Sequence, residues 1–143
     1  MIYKFLRVKN SRYSKIIYDI NNDLSVRKFS KNPNQFTFDQ HKKWLKTIFK
    51  KKNEKIFLIK FQEKIIGVVR SKRKRIRTNL SWAIKKKFRN LGHGKNFLKK
   101  FTQKNLKFSA TIHEKNISSI KIAYFSGFKI KNKNNHFLNM YKN

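Results

Sequence analysis

Glycine is scarce in this chain, with four among 143 residues. Two of the four, Gly92 and Gly94, lie one residue apart in "FRNLGHGKNFLKKF", residues 88–101. The apolar run "LSWAI" precedes them and the amphipathic run "NFLKKF" follows. A chain that otherwise avoids glycine therefore places two where a strand should give way to a helix. A helix starting there has free backbone N–H groups and the positive end of its dipole, and glycine lets an anion approach that backbone closely. Arg89 at the loop entrance and Lys95 add positive charge. An ordinary strand-to-helix turn also carries glycine, so the motif alone leaves both readings open.

The flanking patterns give the order of elements. "YKFLRV" (3–8) alternates as a strand. Residues 11–22 place Tyr13, Ile16, Ile17 and Ile20 on one helical face, and residues 23–30 read as extended or looped. Thr37 has the hydroxyl of an N-cap. It opens a helix to about residue 51, with Phe38, His41, Trp44, Leu45 and Ile48 inward. "KIFLIKF" (55–61) and "KIIGVVRS" (64–71), separated by Gln62 and Glu63, read as a hairpin. "RSKRKRIR" (70–77) is too charged for a core and is expected as the next turn, with a third strand at 78–84. A helix over 94–105 turns Phe97, Leu98 and Phe101 inward, and a strand follows at 107–113. Asn116 caps a helix over 116–127 that Gly127 closes, and a last hairpin ends the chain. With no repeat or linker in view, residues 1–143 read as one α/β domain on a mixed sheet.

Thirty-eight Lys and Arg stand against six acids, a formal charge of +32. Such a field attracts polyanions, including nucleic acid without sequence preference. A Lys- and Asn-rich compositional bias explains the same charge without any such partner. The charge runs through every segment, and no RNA-binding signature or zinc-finger spacing accompanies it. The chain has no cysteine, and no His, Asp and Glu have metal-ligand spacing, so no metal is implied. No apolar run reaches the roughly 20 residues of a membrane helix. "MIYKFLRVKN" lacks the apolar core of a signal peptide, so the cytoplasm is the expected location.

Gly92 and Gly94 do not match two familiar phosphate loops. The NTPase loop needs Ser or Thr after its lysine, and Lys95 is followed by Asn96. The dinucleotide fingerprint needs a third glycine. Arg89, Gly92 and Gly94 instead form R-x-x-G-x-G. Downstream, "ATIHEKNISSIKIAYFSGF" (110–128) carries Asn116, Ser119, Gly127 and Phe128 as N-x-x-S followed by G-F. Together these segments resemble the GNAT superfamily of N-acetyltransferases. The resemblance implies a mixed, mostly antiparallel sheet flanked by about four helices, with acetyl-CoA as co-substrate. It implies that Arg89, Asn90, Leu91, Gly92, His93, Gly94 and Lys95 cradle the coenzyme pyrophosphate. Asn116 and Ser119 would line the pantetheine arm. A splayed fourth strand, Trp82, Ala83 and Ile84, would offer N–H groups to that arm and to the thioester carbonyl. The segments around "RKFSKNPNQFTFDQHKKWL", "IFLIKFQEKIIGVVR" and "LSWAI" are similar to the subgroup acting on amino-sugar nucleotides of the pseudaminic- and legionaminic-acid pathways. That similarity covers about residues 24–130.

Acetyl transfer needs a neutral amine, a positioned thioester and a route for the proton. His41 is the first candidate base, because histidine titrates near neutrality. Glu114 and His113, ending a strand, are the second. Many members carry a tyrosine acid seven residues after the motif asparagine, a position that here holds Ala123. Tyr124, about 100° further round the helix, is the remaining candidate. Arg27 and Arg70 suit substrate phosphate as bidentate donors, with Trp44 stacking and Ser81 on the acceptor side. His41 and Tyr124 packed as core aromatics, and the arginines solvated, are the bland alternatives. The acceptor is expected to be a small-molecule amine, that of a nucleotide-linked amino sugar. A protein or peptide amine and a non-catalytic polyanion-binding role are the competing functions. A monomer and a homodimer are equally open.

Overall fold

The computed structural model describes residues 2–143. Seven strands form one sheet in the order β1-β2-β3-β4-β5-β7-β6. They are β1 (Tyr3–Val8), β2 (Glu54–Phe61), β3 (Lys64–Lys74), β4 (Arg77–Ile84), β5 (Lys107–His113), β6 (Lys129–Asn134) and β7 (Phe137–Lys142). Five α-helices accompany them: α1 (Ser14–Asn21), α2 (Leu24–Arg27), α3 (Phe38–Lys50), α4 (His93–Phe101) and α5 (Ile117–Phe125). Every neighbouring pair is antiparallel except β4 and β5, which run parallel.

The sheet separates two apolar layers. On one face Leu80 and Ile84 of β4 meet Phe97 and Leu98 of α4, Ala123 of α5 and Phe128. On the other, Ile56, Leu58, Val68 and Ala83 meet Ile17 and Ile20 of α1 and Leu45 and Ile48 of α3. Central strands covered on both faces read as continuous apolar runs, as "IFLI" and "IIGVV" do. Burying Phe97 and Leu98 alone contributes about 1.5–3 kcal/mol each.

Local chemistry sets most boundaries. Gln62 and Glu63 both take positive φ, 51° and 61°, giving the tight turn whose twist matches its strands. Thr37 Oγ1 accepts from Gln40 N–H at 3.1 Å while Gln40 Oε1 accepts from Thr37 N–H at 2.8 Å, a reciprocal cap on α3.

Three expectations are corrected. Residues 24–27 are helical, because the Asp23 carboxylate accepts the Ser25 N–H and starts a turn. The basic run is a strand hairpin, not a long turn. β3 continues to Lys74 and β4 begins at Arg77, since backbone pairing tolerates charged side chains that stay in water. α4 stops at Phe101, where Thr102 Oγ1 donates to the Leu98 carbonyl at 2.8 Å.

Candidate active site

Parallel pairing between β4 and β5 covers only Arg77–Leu80 against Lys107–Ala110. Past that point β4 stays on β3 to Ile84, and β5 stays on β7 to His113. Ser81–Ile84 and Thr111–His113 therefore diverge, and their facing backbone groups lose ladder partners. A cleft of about 1860 Å³ opens from this wedge. Its walls come from the 89–95 loop and the start of α5 on one side, and from α2, α3 and β3 on the other.

The N-terminus of α4 faces the cleft. Gly92 is its N-cap, with φ 84°, and no side chain caps the helix. The first-turn N–H groups of a helix have no acceptor within it. Asn90, two residues earlier, also has positive φ, 61°. Successive N–H groups around such left-handed residues form an anion-binding concavity. The two glycines have different jobs. A Cβ on Gly92 would meet nothing closer than Asn96 Nδ2 at 3.5 Å, so its left-handed φ is the constraint. A Cβ on Gly94 would lie 2.3 Å from Ile122 Cδ1, so Gly94 lets α4 close on α5. The sequence had offered anion approach as one reason for both.

Arg89 braces the loop. Its Nε donates to the Ile84 carbonyl at 2.9 Å and its Nη1 to Ser25 Oγ at 2.8 Å. Ser25 in turn donates to Asp23 Oδ1 at 2.6 Å, and these bonds, together with the Arg89 charge, hold the Asp23 carboxyl below its ordinary pKa. Lys95 is exposed with its ammonium 5.5 Å from the Phe125 ring centre. Leu91 turns its side chain to solvent, leaving its backbone as its only offering. On the same wall, Asn116 Oδ1 caps α5 by accepting the Ser119 N–H at 3.2 Å, and both residues line the cleft.

The opposite wall holds Arg27, Trp44, Arg70 and Ser81, all on the lining. The Arg70 guanidinium lies 5.5 Å from the Trp44 ring centre. Arg27 donates to the carbonyls of Asn32 and Asn34 and stacks on Phe36, which shapes the loop after α2. Every charged side chain on the lining is a lysine or an arginine.

The family model for the acetyltransferase (GNAT) domain matches residues 6–129. The chain belongs to the GNAT acetyltransferase family. It is an acetyl-CoA-dependent N-acetyltransferase, with acetyl-CoA as its co-substrate. Solved GNAT structures share the fold. Spermidine N-acetyltransferase from Vibrio cholerae, in complex with CoA and spermine, aligns with a TM-score of 0.81 at 15% identity over 97% of this chain and 94% of its own. N-acetyltransferase PseH from Campylobacter jejuni, in complex with acetyl coenzyme A, gives 0.74 at 17% identity over 98% and 97%. AAC(6')-Ib in complex with paromomycin and acetyl-CoA gives 0.83 at 10% identity over 99% and 93%. Comparison with curated proteins gives no match.

Within this GNAT fold the proton-handling candidates fare poorly. His41 is 1% exposed and caged by Tyr18, Phe36, Phe38 and Trp44. Its Nε2 lies 3.1 Å from the Ser14 carbonyl, which makes Nε2 the protonated nitrogen, and its Nδ1 is enclosed without a partner. Burial lowers its pKa, so the ring is a neutral piece of wall with no nitrogen open to substrate. Glu114 lies off the cleft lining. Bonds to Lys133 and His136 lower its pKa to about 2, far too acidic for a base. Tyr124 is half exposed on the outer side of α5 and does not line the cleft, because the neighbouring Ala123 is the residue turned into the core. His113 lines the cleft, but its Nδ1 accepts the Lys115 N–H at 3.0 Å. His93 Nδ1 is 2.8 Å from the Tyr3 hydroxyl, and burial lowers the His93 pKa. Ser25 went unnoticed in the sequence. The "DLS" capping pattern was its only local signal.

Proposed function

We propose that this enzyme acetylates a primary amine on an anionic carrier, a nucleotide-linked amino sugar. The observation that carries this reading is the acid-free, cationic lining of the cleft. Spermine and paromomycin, held by two of the similar structures, are polycations. Bringing them among Arg27, Arg70 and Lys74 sets like charges together, which disfavours association. A diphosphate gains charge-assisted hydrogen bonds from the same groups. Trp44 offers an aromatic face for a base or sugar, and Ser81 stands at the mouth of the wedge. A diffusible nucleotide acceptor goes with a cytoplasmic location.

Acetyl-CoA lies with its diphosphate on the N–H groups of residues 91–95. Its pantetheine enters the wedge past Asn116 and Ser119, and the backbone of Ser81–Ile84 faces the thioester. The neutral amine attacks the acetyl carbon, the C–S bond breaks, and the thiolate leaves with the amine proton. Fixed N–H donors lower the barrier by stabilising the developing oxyanion. The ammonium loses its first proton to water in the open cleft, since His41 has no nitrogen open to the wedge and Glu114 lies off its lining.

The test is a turnover screen with acetyl-CoA and UDP-glucosamine, spermidine, paromomycin and an N-terminal peptide. The nucleotide sugar is expected to give the highest kcat/KM. A preference for spermidine or paromomycin would overturn the anionic-carrier reading and leave acetyl transfer intact.

A further inference from the structure

Residues 24–36 form a strap across the cleft, and one hydrogen bond joins it to the cofactor loop. The strap comprises α2 and the segment after it. Its Phe29 ring lies 5.7 Å from His113 at the end of β5, and its Lys31 ammonium lies 6.0 Å from the Phe137 ring at the start of β7. Its far end is tied to α1, where Asn22 Nδ2 and the Tyr18 hydroxyl both donate to the Phe36 carbonyl at 3.0 Å. Its near end meets residue 89: Arg89 Nη1 donates to Ser25 Oγ at 2.8 Å. A helix of four residues has too little internal bonding to hold itself. Its position therefore depends on these ties.

We propose that Ser25 is a positioning residue that couples coenzyme loading to the acceptor wall. The coenzyme diphosphate fixes the 89–95 loop. Arg89, braced on the Ile84 carbonyl, then holds Ser25 in place. Ser25 fixes α2, and α2 carries Arg27 at the cleft wall. The acceptor side is thereby completed after the coenzyme arrives. Any such coupling is reciprocal in binding free energy. This inference rests on the cofactor site described above and extends it to an order of binding. Ser25 touches neither reactant and acts through Arg89.

Hydrogen exchange on the full chain, with CoA as probe, tests the relay. In the wild type, CoA is expected to slow exchange at amides 91–95 and also across 24–36, by about tenfold in each. In Ser25→Ala, protection of 91–95 stays and protection of 24–36 is lost. Ser25→Thr, which keeps the hydroxyl, restores it. With UDP-glucosamine as acceptor, Ser25→Ala raises KM about fivefold while kcat moves less than about twofold. Equal protection of the strap in Ser25→Ala and wild type would overturn the relay, as would no protection of the strap in the wild type. A lack of protection at 91–95 in every variant overturns the cofactor site itself, and the relay with it.

Discussion

Leu80 and Ala110 are the last aligned pair of the parallel β4–β5 ladder. β4 runs four residues further and β5 three, each still bound to its other neighbour. The gap so created turns a continuous sheet into a slot with polar backbone on both lips. One mouth of that slot lies beside the start of α4, the other beside Arg70 and Ser81.

Gly92→Val is expected to weaken CoA binding more than tenfold, about 1.4 kcal/mol or more. The cause is conformational, since φ 84° is poorly tolerated by a β-branched residue. Isothermal titration with CoA measures the effect, and a thermal melt confirms a folded variant. Unchanged affinity in a folded variant would show that the left-handed turn is not needed for binding.

Gly94→Ala is expected to lower stability by about 1–3 kcal/mol, through overpacking against Ile122. Combining it with Ile122→Val should recover part of the loss in chemical denaturation. A loss confined to CoA affinity, with stability intact, would instead place the Gly94 Cα against the ligand.

His41→Phe keeps an aromatic ring in its cage but removes the bond to the Ser14 carbonyl. Its kcat is expected to stay within about fivefold of wild type, against the 10²–10⁴-fold that a removed general base costs, by a rough rule. The sign of its pH effect follows from burial. His41 titrates lower in the folded chain than its ordinary 6.5, so acid protonates the unfolded state first. That contribution to stability is present above 6.5 and is lost as pH falls through the folded pKa. Denaturation curves should show a shallower acid loss for His41→Phe than for wild type.

Glu114→Gln tests the second candidate base. The carboxyl is lowered from 4.5 to about 2, so its stabilising effect is present above 4.5 and fades as pH drops toward 2. Wild type and variant should differ in stability at neutral pH and converge at the acid end of that window. The pH profile of turnover should be unaltered. A displaced acid limb in the turnover profile would return Glu114 to the chemistry.

Arg70→Ala removes the proposed phosphate donor, a guanidinium that packs on Trp44. With UDP-glucosamine its KM should rise about tenfold, with CoA affinity unchanged, in line with the cost of losing a charge-assisted bond. Steady-state kinetics at two salt concentrations separates this loss from general screening.

Much of this was legible because the signals are local. Thr37 with Gln40, Asn116 with Ser119, and the Gln62–Glu63 turn each act over a few residues, and each appears where the pattern placed it. Positions that depend on distant partners were not legible. Arg89 and Ser25 are 64 residues apart, and nothing local announces their bond. Helical periodicity put His41 inward, as found, but could not say that its nitrogens meet a carbonyl and a closed cage. The run "RSKRKRIR" concealed a hairpin, because charge opposes burial without opposing backbone pairing. The glycine motif marked the turn into α4 while concealing that one glycine serves φ and the other serves helix packing.

The most direct test is a crystal structure of the full chain with CoA. The diphosphate is expected about 3 Å from backbone nitrogens between Leu91 and Lys95, a hydrogen-bond distance. The pantetheine is expected between Ser81–Ile84 and Thr111–His113. A diphosphate bound elsewhere, with the wedge accessible and empty of pantetheine, would contradict it.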